Sequence, residues 1–217
     1  LKILGDLPVN FLVIEGRGHC ENRRNRFISQ VGLTHDLLRA IDWLTIRPEV
    51  DVERIGIIGH SFGAAAAIYG ASLDIRITAF IADASYAHPR EIIANHLKSY
   101  HIPFFPLGWF MQQYIQIRLQ TTFERIAPVN AITKVKSPGL IVHGTDDTTL
   151  PYENSQRIMA AADSENIQHL RLEGVDHSNT TDHPEFAPRI RNFISEHLLS
   201  TSASRQQLSI AESSPTS

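Results

Sequence analysis

The stretch Ile55-Gly56-Ile57-Ile58-Gly59-His60-Ser61-Phe62-Gly63-Ala64-Ala65-Ala66-Ala67 runs from an apolar segment through G-x-S-x-G into an alanine-rich helical pattern. A strand, a sharp turn and a helix are expected in immediate succession, with a serine at the apex. Such a turn strains the serine backbone and lifts its hydroxyl above a parallel sheet. Gly59 and Gly63 are expected because a side chain at either place would collide across the turn. The alanines let the helix lie close to the strand. Ser61 is therefore the candidate nucleophile, set against an inert serine in a glycine-rich turn.

On either side of this stretch, short apolar runs alternate with amphipathic segments, the pattern of an α/β fold. Strands are expected at Phe11–Ile14, Ile55–Ile58, Ile77–Ala82, Gly139–His143 and His169–Leu172. Leu37, Leu38, Ile41 and Leu44 give one helical face before Pro48. Further helices are expected near Tyr152–Ala162 and Glu185–Leu199. Strands separated by helices imply parallel pairing with right-handed crossovers. Two segments break the rhythm. Residues 84–136 are too long for a simple crossover, and they hold a proline-punctuated aromatic run, read as a small helical cap. From Ser200 to Ser217 the Ser/Thr-rich tail has little to bury and is expected to be disordered. The α/β domain is thus assigned to residues 1–199.

Composition narrows the function. The 217 residues are 42% hydrophobic with a formal net charge of −3, which suits one domain with a sizeable core and gives no nucleic-acid footprint. Arg23, Arg24 and Arg26 read as a solvated loop cluster. Cys20 is the only cysteine, so no internal disulfide is possible; without a turn like that of Ser61, it is a weak nucleophile candidate. No apolar stretch reaches the length of a membrane span. The compartment stays open.

A serine hydroxyl needs a base to take its proton and an acid to orient that base. Sites in open parallel sheets collect on loops at the carboxyl ends of strands. After the Gly139–His143 strand comes Gly144-Thr145-Asp146-Asp147-Thr148-Thr149-Leu150-Pro151. Asp147 is the candidate acid; Asp146 would point the other way on an extended loop and serve the turn. After the His169–Leu172 strand comes Glu173-Gly174-Val175-Asp176-His177-Ser178-Asn179, where His177 stands in the place of the base. His60 is expected to point away from its neighbour Ser61 and to be a supporting or structural residue, and His19 and His143 to pack loops. The histidines have no metal-ligand spacing, so neither metal nor other cofactor is expected.

GHSFGA, HGTDD…LP and GVDHSN resemble the nucleophile, acid and histidine motifs of the α/β-hydrolase superfamily over about Val9 to Leu198. Within it, the chain is most similar to small thioesterase-like and prolyl-oligopeptidase-like serine hydrolases. FLVIEGRGHCEN (11–22) resembles a strand and loop that usually read D-x-R-G-x-G-x-S, with Glu15, Cys20 and Asn22 as departures. The resemblance implies a triad of Ser61, Asp147 and His177. It also implies an oxyanion hole that uses the Phe62 amide and a second donor on a strand ahead of Phe11–Ile14. No such strand precedes Phe11, so the chain is expected to be an N-terminally incomplete hydrolase.

The expected chemistry is cleavage of a small-molecule carboxylic ester or thioester through an acyl-enzyme on Ser61. Peptidase activity and a non-catalytic binding scaffold or inactive fragment are the alternatives. Phe104, Phe105, Trp109, Phe110 and Met111 are the candidate substrate-binding residues. They are read equally as residues that pack the cap, while exposed Trp109 and Phe110, or segments upstream, offer membrane contact.

Overall fold

Four of the five expected strands form: β1 Gly56–His60, β2 Ala79–Asp83, β3 Gly139–Gly144 and β4 Ile167–Leu172. They pair in parallel in the order β1-β2-β3-β4, with Ile58 opposite Ile81 and Ile141 opposite His169. A computed structural model gives this architecture and describes residues 4–17, 28–162 and 165–200. Parallel neighbours require crossovers, and helices supply them. Helix α1 (Gln30–Thr45) begins where the Ser29 hydroxyl accepts the Gly32 amide at 3.1 Å. Helix α2 (Phe62–Leu73) follows β1 without a loop. The other long helices are α3 (Pro89–Ser99), α4 (Trp109–Leu119), α7 (Glu153–Ala161) and α8 (Phe186–Ile194). Two short helices, α5 (Phe123–Ile126) and α6 (Pro128–Ala131), complete the path from β2 to β3.

The pleat sends alternate side chains to two cores. On one face Ile57, Phe80 and Ile141 pack with Ile41 of α1, Ile68 of α2 and Ile158 of α7. On the other, Ile81, Leu140, Val142 and Leu172 meet Phe193 and Ile194 of α8. Every residue of β2 and β3 is buried, which explains why both read as continuous apolar runs.

The expected strand at Phe11–Ile14 does not form. Residues 9–16 have no regular structure, and Phe11, Leu12, Val13 and Ile14 are all exposed, Val13 to 67%. A strand exists only where a neighbour takes its amides and carbonyls. Among the described residues, β1 pairs with β2 alone and its outer edge meets no strand. Ile58 is consequently 51% exposed, while Ile81 opposite it is buried. Cys20, Asn22, His19, the arginines at 23, 24 and 26, and the tail beyond Ser200 lie outside the described residues.

Candidate active site

The junction of β1 and α2 carries the first functional side chain. Ser61 has φ 56° and ψ −117°, a conformation L-residues rarely adopt, and its amide donates to the Asp83 carbonyl at 2.8 Å. The two flanking glycines have unequal reasons. A Cβ on Gly59 would stand 2.1 Å from the Gly63 carbonyl oxygen, so only glycine fits there. A Cβ on Gly63 would meet nothing within 4 Å, which corrects the expectation that both positions collide. It is the backbone of Gly63, not its missing side chain, that makes the approach tight. Phe62 opens α2, so its amide has no intrahelical acceptor and faces outward beside Ser61.

Loops after β3 and β4 bring two further groups to this turn. The Ser61 Oγ donates to His177 Nε2 at 3.1 Å, and His177 Nδ1 donates to Asp147 Oδ2 at 2.7 Å. The acceptor-only carboxylate fixes this imidazole tautomer. Asp147 Oδ1 accepts the amides of Thr149 at 2.9 Å and Leu150 at 2.7 Å. His143 Nε2 donates to the Leu150 carbonyl at 2.7 Å and lies 3.3 Å from Asp147 Oδ2. Burial opposes the charge on Asp147, but hydrogen bonds from His143, His177 and Leu150 outweigh it and hold the carboxyl well below the usual carboxylate range. The Asp147 hydrogen bond raises the His177 imidazole above its ordinary value against a smaller opposing effect of burial. Asp146 serves the turn after β3, its amide donating to the Val175 carbonyl and its Oδ1 accepting from Thr145 Oγ1.

Further groups surround this trio. His60 Nε2 donates to the His177 carbonyl at 2.9 Å, and the two rings lie 5.0 Å apart. Asp176 Oδ1 accepts the amides of His177 and Thr148, tying the β3 and β4 loops together. Asp83, buried at the end of β2, accepts the Thr180 hydroxyl at 2.7 Å on Oδ2, while its Oδ1 has no hydrogen-bond partner. Burial raises its pKa, and the nearby histidines 60, 143 and 177 offset only part of that. Its position at the carboxyl end of a parallel strand was the available signal.

A cavity of about 350 Å³ lies against Ser61, with Phe62, Tyr86, Ile92 and Leu150 as apolar wall and Asn95 and His96 of α3 at one side. None of the five aromatic and methionine candidates lines it. Phe104 and Met111 pack instead against Ile93, Leu97, Phe123 and Ile126. Phe105, Trp109 and Phe110 are exposed. The cap's apolar content was legible, but which helix faces the serine depends on how the cap folds back, and α3 takes that place.

The matching relatives extend well beyond this site. An uncharacterized protein of Mycobacterium tuberculosis is 29% identical over 195 residues, covering 89% of this chain and 62% of its own length. The chain therefore spans about three-fifths of that relative. An esterase of Pyrococcus furiosus superposes with a TM-score of 0.59 at 24% identity, over 76% of this chain and 62% of the esterase. An acylaminoacyl peptidase of Pyrococcus horikoshii does so with a TM-score of 0.57 at 18% identity, over 78% of this chain and 28% of the peptidase. At these identities the likeness establishes the α/β-hydrolase fold. The family model that matches residues 9–200 carries the assignment further, and the chain belongs to the prolyl oligopeptidase family.

Proposed function

We propose that this chain carries the nucleophile, base and acid of a serine hydrolase that cleaves carboxylic esters or thioesters. The observation behind the reading is the hydrogen-bonded series Ser61–His177–Asp147 with Ser61 on a strained turn. His177 Nε2 takes the Ser61 proton as Oγ bonds to the substrate carbonyl carbon. The Phe62 amide donates to the oxyanion that forms. Collapse breaks the bond to the alcohol or thiol, which leaves with the proton from His177 Nε2. Water then attacks the acyl-enzyme, giving its proton to His177, and the acid departs as Ser61 is reprotonated. Asp147 keeps Nδ1 protonated throughout and stabilises the imidazolium.

The cavity beside Ser61 favours a medium-sized, partly apolar group, because Phe62, Tyr86, Ile92 and Leu150 line it together with the polar side chains of Asn95, His96, Thr148 and Thr149. The prolyl oligopeptidase family supports a second reading, hydrolysis of a peptide bond by the same three residues. Turnover of p-nitrophenyl esters and acyl thioesters, measured beside aminoacyl p-nitroanilides, separates the two. The proposal expects ester or thioester turnover that Ser61→Ala abolishes without lowering the melting temperature. Turnover of the anilides alone would replace the ester reading, and undiminished turnover by Ser61→Ala would remove Ser61 from the chemistry.

A further inference from the structure

Helix α4 has apolar side chains on two sides and buries none of its residues fully. Met111, Ile115 and Leu119, spaced i, i+4 and i+8, lean on the cluster of Ile93, Leu97, Phe123 and Ile126. Phe110, Tyr114 and Ile117, spaced i, i+4 and i+7, point away from it and are exposed to 61, 61 and 75%. A helix with one apolar face on its own domain needs no second. Tyr100, Phe105 and Trp109 are also exposed and extend this surface along the preceding turn. Together they put five exposed aromatic side chains and Ile117 within residues 100–117.

Charge selects among occupants. From Ile92 to Phe123 the sequence contains no Asp or Glu, whereas Lys98, exposed near the end of α3, falls within it. The Arg90 guanidinium stands 4.4 Å from the centre of the Phe104 ring, at the inner side of the same segment. A second copy docked face to face would set two acid-free segments against each other. Anionic lipid headgroups complement such a segment, and exposed Trp, Tyr and Phe suit the headgroup region. No described helix is long and apolar enough to cross a membrane, so α4 would lie in the interface and not span it.

The surface also adjoins the candidate site. His96 borders the cavity beside Ser61, and its ring lies 5.3 Å from that of exposed Tyr100. We infer that the 100–117 surface docks on an anionic lipid bilayer and brings the Ser61 cavity to the headgroup level.

The test reads binding, not turnover. In a Trp43→Phe background Trp109 is the only tryptophan. Vesicles of phosphatidylcholine with phosphatidylserine are expected to shift its emission to the blue and to carry the protein down on sedimentation. Phe110→Gln combined with Ile117→Gln should weaken binding about tenfold or more, since both side chains lose their apolar contact. Lys98→Gln should weaken binding to the anionic vesicles by about fivefold and leave binding to pure phosphatidylcholine unchanged. Ser61→Ala should bind as the parent does, so a failed hydrolase reading leaves this result standing. A folded chain that stays in the supernatant overturns the proposal, as does binding indifferent to the double substitution. Concentration-dependent self-association that the same pair abolishes, without vesicle binding, overturns it in favour of a second copy.

Discussion

β1 and β2 lie side by side, each with two large apolar side chains in succession, and end in different states. β2 is buried at every position, between β1 and β3 and beneath helices on both faces. β1 is covered on one face by α1 and α2, while its other face leaves Ile58 half exposed and its outer edge meets no described strand. The 11–14 segment, equally apolar, lies outside any sheet. The difference teaches that an apolar run states what a segment would bury, not whether a partner is there to bury it. It also divides the candidate site. Asp147 and His177 come from the closed side, where loops after β3 and β4 are fixed by several hydrogen bonds, whereas Ser61 and Phe62 stand at the boundary with the open side.

The largest effect that would break this comparison lies on the closed side. Asp147→Asn should lower kcat by about ten-thousandfold, because the amide no longer holds Nδ1 protonated, with the melting temperature as a check on folding. A loss of only a few-fold would mean that the closed side is structural and not catalytic. Next comes stability. Ile141→Ala, in the fully buried β3, should cost about 2–5 kcal/mol in denaturant unfolding. Ile58→Ala, on the open face of β1, should cost well under half as much, about 1 kcal/mol. Equal costs would show that β1 is covered in solution. The smallest effect is in titration. The structure holds His177 above its ordinary 6.5, mainly through Asp147. A base must be neutral to accept a proton, so turnover should rise with pH through a midpoint above 6.5. Followed by NMR, the imidazole should titrate lower in Asp147→Asn; an unchanged midpoint would detach His177 from Asp147.

Much of this was readable in the sequence because the decisive signals are local. G-x-S-x-G after an apolar run fixes the Ser61 turn through the Gly59 clash alone, and the Asp146-Asp147 pair after a strand flags the loop from which Asp147 meets His177. The Phe11–Ile14 strand failed for the opposite reason: pairing is non-local, and an apolar run does not say whether a neighbour takes its amides and carbonyls. The substrate wall failed likewise. Ile92, Asn95 and His96 look like an ordinary amphipathic helix until α3 is set beside Ser61, and the aromatic run drew attention away from it. Asp83 was invisible as a partner because its contact with Thr180 joins residues 97 positions apart.

The most direct test of the central claim is covalent labelling of the folded chain by a fluorophosphonate, read by intact mass and peptide mapping. The account predicts one adduct, on Ser61, lost in Ser61→Ala and strongly slowed in His177→Ala. A folded protein that acquires no adduct on Ser61, or one whose labelling ignores His177, would contradict it.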